Sequence, residues 1–183
     1  METWQALEDC VDGGMSRHIG TSNFSVQKLQ TILDNCRIKP AVDQVEMHPL
    51  LSQKKLKKFC DDNNILMTAY SPLGSRDRSP MMKSRDEPDL LSLAVITGIA
   101  ASHKLSPAQV LLAWAVNRGT SVIPKSVNPQ RLQENIAAAE IELGEDEMLA
   151  IHGLDRHFRY VTGSFFAGKN SPYTIGGIWD EGY

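Results

Sequence analysis

Lys125 and Arg131 stand on either side of a predicted strand end and helix start, an arrangement suited to holding an anion. In Val122-Ile123-Pro124-Lys125-Ser126-Val127-Asn128-Pro129-Gln130-Arg131-Leu132-Gln133-Glu134-Asn135, an apolar strand runs out at Lys125. That leaves its ammonium and the Ser126 hydroxyl at the C-terminal end of a sheet, where parallel α/β folds gather their ligands. Asn128-Pro129 then opens a helix whose free backbone N–H groups and positive dipole end point the same way. Arg131, in the first turn, adds a guanidinium fork matched to phosphate oxygens. A cation is normally disfavoured at a helix N-terminus, so its presence there points to a bound anion. Glu134 and Asn135 follow one turn later, within reach of a base or sugar. The same spacing also suits a surface lysine and arginine beside an ordinary helix cap, and spacing alone does not separate the two readings.

Other chemistries find less support. Cys10, Cys36 and Cys60 are odd in number, widely spaced and in no C-x-x-C arrangement, which argues against a disulfide framework and a zinc knuckle and for a reduced, cytoplasmic setting. His103 and His152 fall in predicted helices without acidic or cysteine partners at ligand spacing, so no metal site is expected. With 19 basic and 22 acidic residues and a formal charge of -3, the chain has no single-sign block that would sheathe nucleic acid or anionic lipid. Lys54, Lys55, Lys57 and Lys58 alternate with Leu56, Phe59 and Cys60 and read as the solvated face of an amphipathic helix. No secretion signal is visible, and Leu90 to Ala101, the most apolar stretch, falls well short of the ~20 residues of a membrane span, so a soluble protein is expected.

The elements that position these groups alternate. Trp4, Leu7 and Val11 mark a helix ending at Gly13-Gly14, and Arg17 to Ser22 a short strand. A helix from about Ser25 to Asn35 is expected to bury Val26, Leu29, Ile32 and Leu33. Val42 to Met47 reads as a strand, Gln53 to Asn63 as a helix capped by Ser52, and Ile65 to Tyr70 as a third strand. Gly74 to Asp89 loses all periodicity and reads as a long surface loop of the functional kind. Two helices follow; the second starts at Ser106 as N-cap, with Pro107 and Gln109 completing a capping box, and buries Val110, Leu111 and Trp114. A fourth strand at Ser121 to Lys125 and helices to about Ala139 and from Asp146 to Asp155 complete the pattern. Four βα units of this kind form an α/β fold with a parallel sheet, either open or closed as a barrel. The absence of a Gly-rich Rossmann turn favours barrel units, and four strands make half of the eight a closed (β/α)8 barrel needs.

The Lys125 to Asn135 stretch resembles the Lys-Ser signature of the aldo-keto reductases almost residue for residue. Three further segments resemble that family in its own order: Ile19-Gly20-Thr21-Ser22-Asn23-Phe24, Asp43-Gln44-Val45-Glu46-Met47-His48-Pro49 and Ala69-Tyr70-Ser71-Pro72-Leu73-Gly74. Thr21 departs from the family's usual aliphatic residue. The resemblance runs from Thr3 to about Asp155. It implies an NADP(H) site in which Lys125, Ser126, Asn128, Arg131, Glu134 and Asn135 hold the 2′-phosphate and adenine. Ser22, Asn23 and Gln44 would hold the nicotinamide carboxamide, Tyr70 would stack on the ring, and Ser71, Leu73 and Ser75 would clasp the pyrophosphate. Fold and domains follow: a parallel (β/α)8 TIM barrel of which residues 1–155 form the C-terminal half, with 156–183 a substrate-loop-like tail. Phe165, Phe166 and Trp179 are its candidate substrate wall, with simple packing of the tail as the alternative.

The family's reaction is reduction of an aldehyde or ketone by hydride transfer, with a Tyr acid assisted by Lys, Asp and His. The resemblance places that tetrad on the family's first four strands, so no catalytic residue is assigned in this chain. His48 lies in the family's E-x-H-P segment, where a structural role is usual. Two expectations stand: part of an ordinary NADPH-dependent carbonyl reductase acting on a small carbonyl substrate when complete, or a non-catalytic half-barrel that binds nucleotide or pairs with another chain to cover its open edges. The unprotected apolar edges at Ile65-Leu66-Met67 and Val122-Ile123 favour the first.

Overall fold

The computed structural model describes residues 1–180 of the chain; Glu181, Gly182 and Tyr183, the end of the predicted tail, lie outside the described residues. Helix α1 (Glu2–Asp12) leads to β1 (Gly20–Ser22), α2 (Val26–Leu33), β2 (Val42–Glu46), α3 (Lys54–Asp62) and β3 (Leu66–Tyr70). Then come α4 (Ala94–His103), α5 (Pro107–Asn117), β4 (Ser121–Val122), α6 (Pro129–Ala137), α7 (Glu145–His152) and α8 (Ile175–Trp179), with short 3₁₀ turns between. The four strands form one sheet in the order β1-β2-β3-β4, and the pairs β1–β2 and β3–β4 are parallel. The alternation read from the sequence is thus present as an α/β fold with sequential strand neighbours.

The chain divides into two compact units, with the boundary inside β2 and β3. The first comprises residues 1–45, 53–67 and 162 onward. Its core is Trp4, Ile19 and Ile32, with Leu7, Val11, Phe24, Cys36 and Ile38 packed against them, so the i, i+3, i+4 spacing of α1 buries the face it predicts. The periodicity did not announce Glu8, which is buried beside Trp4. Its carboxylate accepts the N–H groups of Arg37 (2.7 Å) and Ile38 (2.8 Å), and these bonds, chiefly that from Ile38, outweigh burial and hold its pKa below the usual value. Gly20 must be glycine, because a Cβ there would stand 2.6 Å from the carbonyl oxygen of Val42 on the neighbouring strand.

The second unit comprises residues 46–52 and 68–161. Its centre is α5, in which every residue from Val110 to Ala115 is buried. The helix starts as expected, with the Ser106 hydroxyl accepting the Gln109 N–H (3.2 Å) and Gln109 Oε1 accepting the Ser106 N–H (3.0 Å). Trp114 is fully buried and Arg118 lies over its ring at 4.5 Å.

Several local expectations are corrected. Ser52 does not cap α3; Gln53 occupies that position in a left-handed conformation (φ 55°) without a side-chain cap, and the Ser52 hydroxyl donates to Asp155 instead. Val26 is exposed, because only the face of α2 carrying Leu29 and Ile32 meets the core. Lys57 is not solvated like its neighbours: its side chain is 12% exposed and its ammonium pairs with Asp61 at 2.6 Å. The first strand starts at Gly20 and not at Arg17, and the fourth covers only Ser121–Val122 and not the stretch to Lys125. Among the described residues, no helix is long and apolar enough to cross a membrane.

Candidate functional site

In the second unit, the segment after β4 and the start of α6 face the loop after β3 across a cleft of about 510 Å³. Ser71, Leu73, Ser75, Lys125, Ser126, Asn128, Arg131, Glu134 and Asn135 all line it. The sequence places each of these at the site; Tyr70 belongs to the same unit but not to this lining. Lining residues not anticipated are Arg76, Asp77, Leu91 and the Ser106–Ala108 start of α5, which the sequence marked only as a helix cap. Nothing local signals this, since a capping box reports a helix end and not its neighbour across a cleft.

The chain enters α6 through two interlocking hydrogen bonds. The Asn128 carbonyl Oδ1 accepts the Arg131 N–H (3.1 Å), and the Ser126 hydroxyl accepts the Asn128 N–H (3.1 Å). This amends the sequence expectation of several free donors at that helix start. Pro129 has no N–H and Arg131's is capped, which leaves the Gln130 N–H and the side chains of Lys125 and Arg131 as the donors of this segment. Lys125 Nζ stands 3.8 Å from Asp77 Oδ2, and both side chains are largely in solvent. The first turn of α6 also orients Glu134, whose Oε1 accepts from Gln130 at 3.0 Å.

The opposite wall is a strained turn. Ser71 (φ 51°), Gly74 (φ 86°) and Ser75 (φ 47°) all lie in the left-handed region, and the two serine hydroxyls hydrogen-bond at 2.5 Å. Gly74 is tightly enclosed as well as left-handed; a Cβ there would stand 3.3 Å from Leu90 and the Tyr160 ring, which would have to give way. The following loop, read from sequence as surface, is organised from within by Arg78. This guanidinium forks onto Glu87 (2.7 and 2.8 Å), donates to the carbonyls of Met82 (2.8 Å) and Tyr160 (2.6 Å), and is 8% exposed. Its partner Tyr160 is 82 residues away, so no sequence window contains the signal.

Tyr70 is half-buried, and burial, with help from the Glu46 carboxylate, pushes its phenol well above the ordinary value. The hydroxyl therefore stays protonated at neutral pH. His48 is buried with its Nε2 2.9 Å from Glu46 Oε1 and its ring 4.8 Å from that of Tyr160. Glu46 also accepts the N–H groups of Tyr160 (2.6 Å) and Val161 (2.9 Å), which gives this segment a structural part.

In the first unit, Ser22, Asn23 and Gln44 come together as the pairing of β1 with β2 requires. Ser22 lies opposite Gln44, and the Gln44 carbonyl accepts the Asn23 N–H (2.9 Å) and the Ser22 hydroxyl (3.0 Å). Asn23 adopts φ 59°, and its Oδ1 is buried without a hydrogen-bond partner among the described residues. A buried amide oxygen of this kind suits a donor supplied by a ligand, such as a carboxamide NH₂. Beneath the turn, Asp43 is fully buried; its Oδ1 accepts the Thr21 hydroxyl at 2.9 Å, and its carboxylate also accepts the Phe24 N–H.

Burial pushes the Asp43 carboxyl up to about 6 against those two donors. The folded state therefore favours the protonated acid. The resulting stability is fully present below the unfolded-state pKa of ~4 and is lost as pH rises through about 6. Asp43→Asn keeps an oxygen for Thr21 and removes the charge. Urea unfolding midpoints from pH 4 to 8 are expected to fall across this window in the wild type relative to the variant; parallel curves would show that Asp43 does not titrate there. Cys60, whose thiol is pushed up to about 12 by burial and then by the nearby Asp43 charge, is no nucleophile. Among the described residues no group of three or more His, Cys, Asp or Glu is placed to hold a metal.

The tail aromatics divide. Phe165 and Phe166 are more than half exposed, with ring centroids 4.3 Å apart, whereas Trp179 is buried and its Nε1 donates to the Thr162 carbonyl at 2.8 Å.

The family model described as "Aldo/keto reductase family" matches residues 1–156. An aldo/keto reductase of Synechocystis sp., slr0942, is 56% identical over 179 residues, which cover 98% of this chain and 55% of that protein. Aldo-keto reductase family 1 member C1 of Macaca fuscata fuscata is 42% identical over 175 residues (94% of the chain, 54% of the relative). Aldo-keto reductase family 1 member A1 of Gallus gallus is 42% identical over 160 residues (87% and 48%). The chain thus spans about half the length of the curated relatives it matches. With a family match across most of its length, and with parallel βα units carrying the motifs that resemble that family, the chain belongs to the aldo/keto reductases.

Proposed function

We propose that residues 1–155 are the C-terminal, NADP(H)-binding half of a (β/α)8 barrel, that 156–183 form a substrate-loop tail, and that the complete protein reduces aldehydes or ketones to alcohols. The carrying observation is the cleft in which Lys125, Ser126 and Arg131, from the β4–α6 segment, face Ser71, Leu73 and Ser75. Two cations, a hydroxyl and a tight serine-lined turn form a donor set for an extended phosphate-bearing ligand. Lys125 and Arg131 would bind the 2′-phosphate. Glu134 and Asn135 would meet the adenosine, and Ser71, Leu73 and Ser75 the pyrophosphate. Asn128 acts by capping α6 and so holds Arg131 in place.

Ser22, Asn23 and Gln44 would hold the nicotinamide carboxamide, and the buried Asn23 Oδ1 supports that fit. Tyr70, a protonated half-buried ring, would cover the nicotinamide face. When bound, the cofactor supplies the hydride. The residues of this chain orient it and exclude water, while the Tyr, Lys, Asp and His of the family's proton-donating tetrad would come from the other half of the barrel. A cytoplasmic setting accords with the three free cysteines.

Titration with NADP⁺, followed by amide NMR, tests this reading. Resonances at Ser22, Asn23 and Gln44 and from Lys125 to Asn135 are expected to move together at saturation. Movement confined to residues outside both groups would sink it.

A further inference from the structure

We propose that Lys28 and Asp180 are positioning residues, a reciprocal latch that ties the C-terminal tail to the start of α2 and so couples tail closure to binding at the Asn23 turn. The proposal rests on the reading of Ser22 and Asn23 as carboxamide-binding residues.

Three links of geometry, all within the first unit, carry it. Ser25, two residues after Asn23, is the N-cap of α2: its hydroxyl accepts the Lys28 N–H at 3.2 Å and donates to the Asp180 carboxylate. Lys28 Nζ reaches the other way, to the carbonyls of Gly177 (3.0 Å) and Ile178 (2.5 Å) at the end of α8, and to Asp180 Oδ2 at 3.1 Å. These carbonyls have no partner inside so short a helix, so Lys28 caps α8 while Asp180 engages the cap of α2. The third link runs from α8 into the tail. Trp179 Nε1 donates to the Thr162 carbonyl (2.8 Å), and Gly163 packs against Ile178 and Trp179 in a left-handed conformation (φ 76°) that disfavours any residue with a side chain. Gly163 is also the N-cap of the 3₁₀ turn Ser164–Phe166, which presents the exposed Phe165–Phe166 pair.

An isolated surface ion pair would carry little of this. Here one ammonium meets three acceptors on one short segment, and its carboxylate partner is also held by the helix cap. Burial works against the Asp180 charge, but the Ser25 and Lys28 contacts outweigh it and keep the carboxyl below its usual value. A shift of the Asn23 turn is therefore passed through Ser25 to α8 and on to the Phe165–Phe166 turn. By linkage, whatever binds the turn and favours the closed tail is itself held more tightly by it.

Amide hydrogen exchange of residues 162–166 and 175–179 decides the matter, with NADP⁺ and 2′,5′-ADP as probes. NADP⁺ is expected to slow exchange in both segments by about tenfold, whereas 2′,5′-ADP, which lacks the nicotinamide, leaves them unchanged. Lys28→Met and Asp180→Asn should each abolish the slowing and weaken NADP⁺ by up to about tenfold, with 2′,5′-ADP affinity unaltered. Lys28→Arg, which keeps the donors, should restore the slowing. Equal slowing in the wild type and both variants overturns the latch. A response at Ser22 to Gln44 with an unmoved tail also overturns the latch, and overturns it alone. No response at Ser22 to Gln44 while Lys125 to Asn135 responds overturns the carboxamide reading and the coupling with it.

Discussion

Replacing Lys125 and Arg131 together by alanine is expected to weaken NADPH on the order of 100-fold while changing NADH by no more than a few-fold. A hydrogen bond to a charged group contributes ~1.5–3 kcal/mol, and the lower figure applies because both side chains are exposed; two such losses total about 3 kcal/mol, or roughly two orders of magnitude. The effect is selective because the two cofactors differ only in the 2′-phosphate. The α6 N-terminus compensates little, since Pro129 lacks an N–H and Asn128 already occupies that of Arg131, which leaves only the Gln130 N–H in the first turn. Lys125→Arg should retain most of the affinity, because a charge remains to meet the phosphate. Fluorescence titration of the variant with each reduced cofactor reads the ratio directly. Equal losses for NADPH and NADH would remove the phosphate from this end of the cleft.

Glu46→Ala is expected to lower the stability of the fold by about 4 kcal/mol. The buried carboxylate accepts from Tyr160 N, Val161 N and His48 Nε2, and its removal strands all three donors away from water. Glu46→Gln should lie between, since its amide keeps one oxygen but points an N–H₂ at a position that needs an acceptor. Urea unfolding at neutral pH reads the difference. A loss below about 1 kcal/mol for the alanine variant would mean that the Tyr160–Val161 backbone finds other acceptors.

Where the periodic signal was strong, the sequence reported the elements well. The capping box at Ser106 and the Asn128-Pro129 helix start both stand as read, and Lys125, Ser126, Asn128, Arg131, Glu134 and Asn135 gather around one cleft because a single strand–helix connection carries them. Long-range polar contacts were illegible. Arg78 looked like one more charge in an aperiodic loop because its partners Glu87 and Tyr160 share no pattern with it. No periodic pattern marks Glu8 or Asp43 for the interior, yet each is buried where backbone N–H groups or a hydroxyl meet it. Ser52 satisfied a helix-cap pattern but was drawn to Asp155, 103 residues away. Spacing specifies which face of a helix is buried; it does not specify which polar group will meet another across the fold.

Calorimetric comparison of NADPH and NADH binding to the unmodified protein bears on the cofactor site without any substitution. Saturable binding of one equivalent of each is expected, with NADPH tighter by on the order of 100-fold, since the same two cations distinguish them. Equal affinities, or a preference for NADH, would contradict the assignment of Lys125 and Arg131 and with it the reading of this cleft as an NADP(H) site.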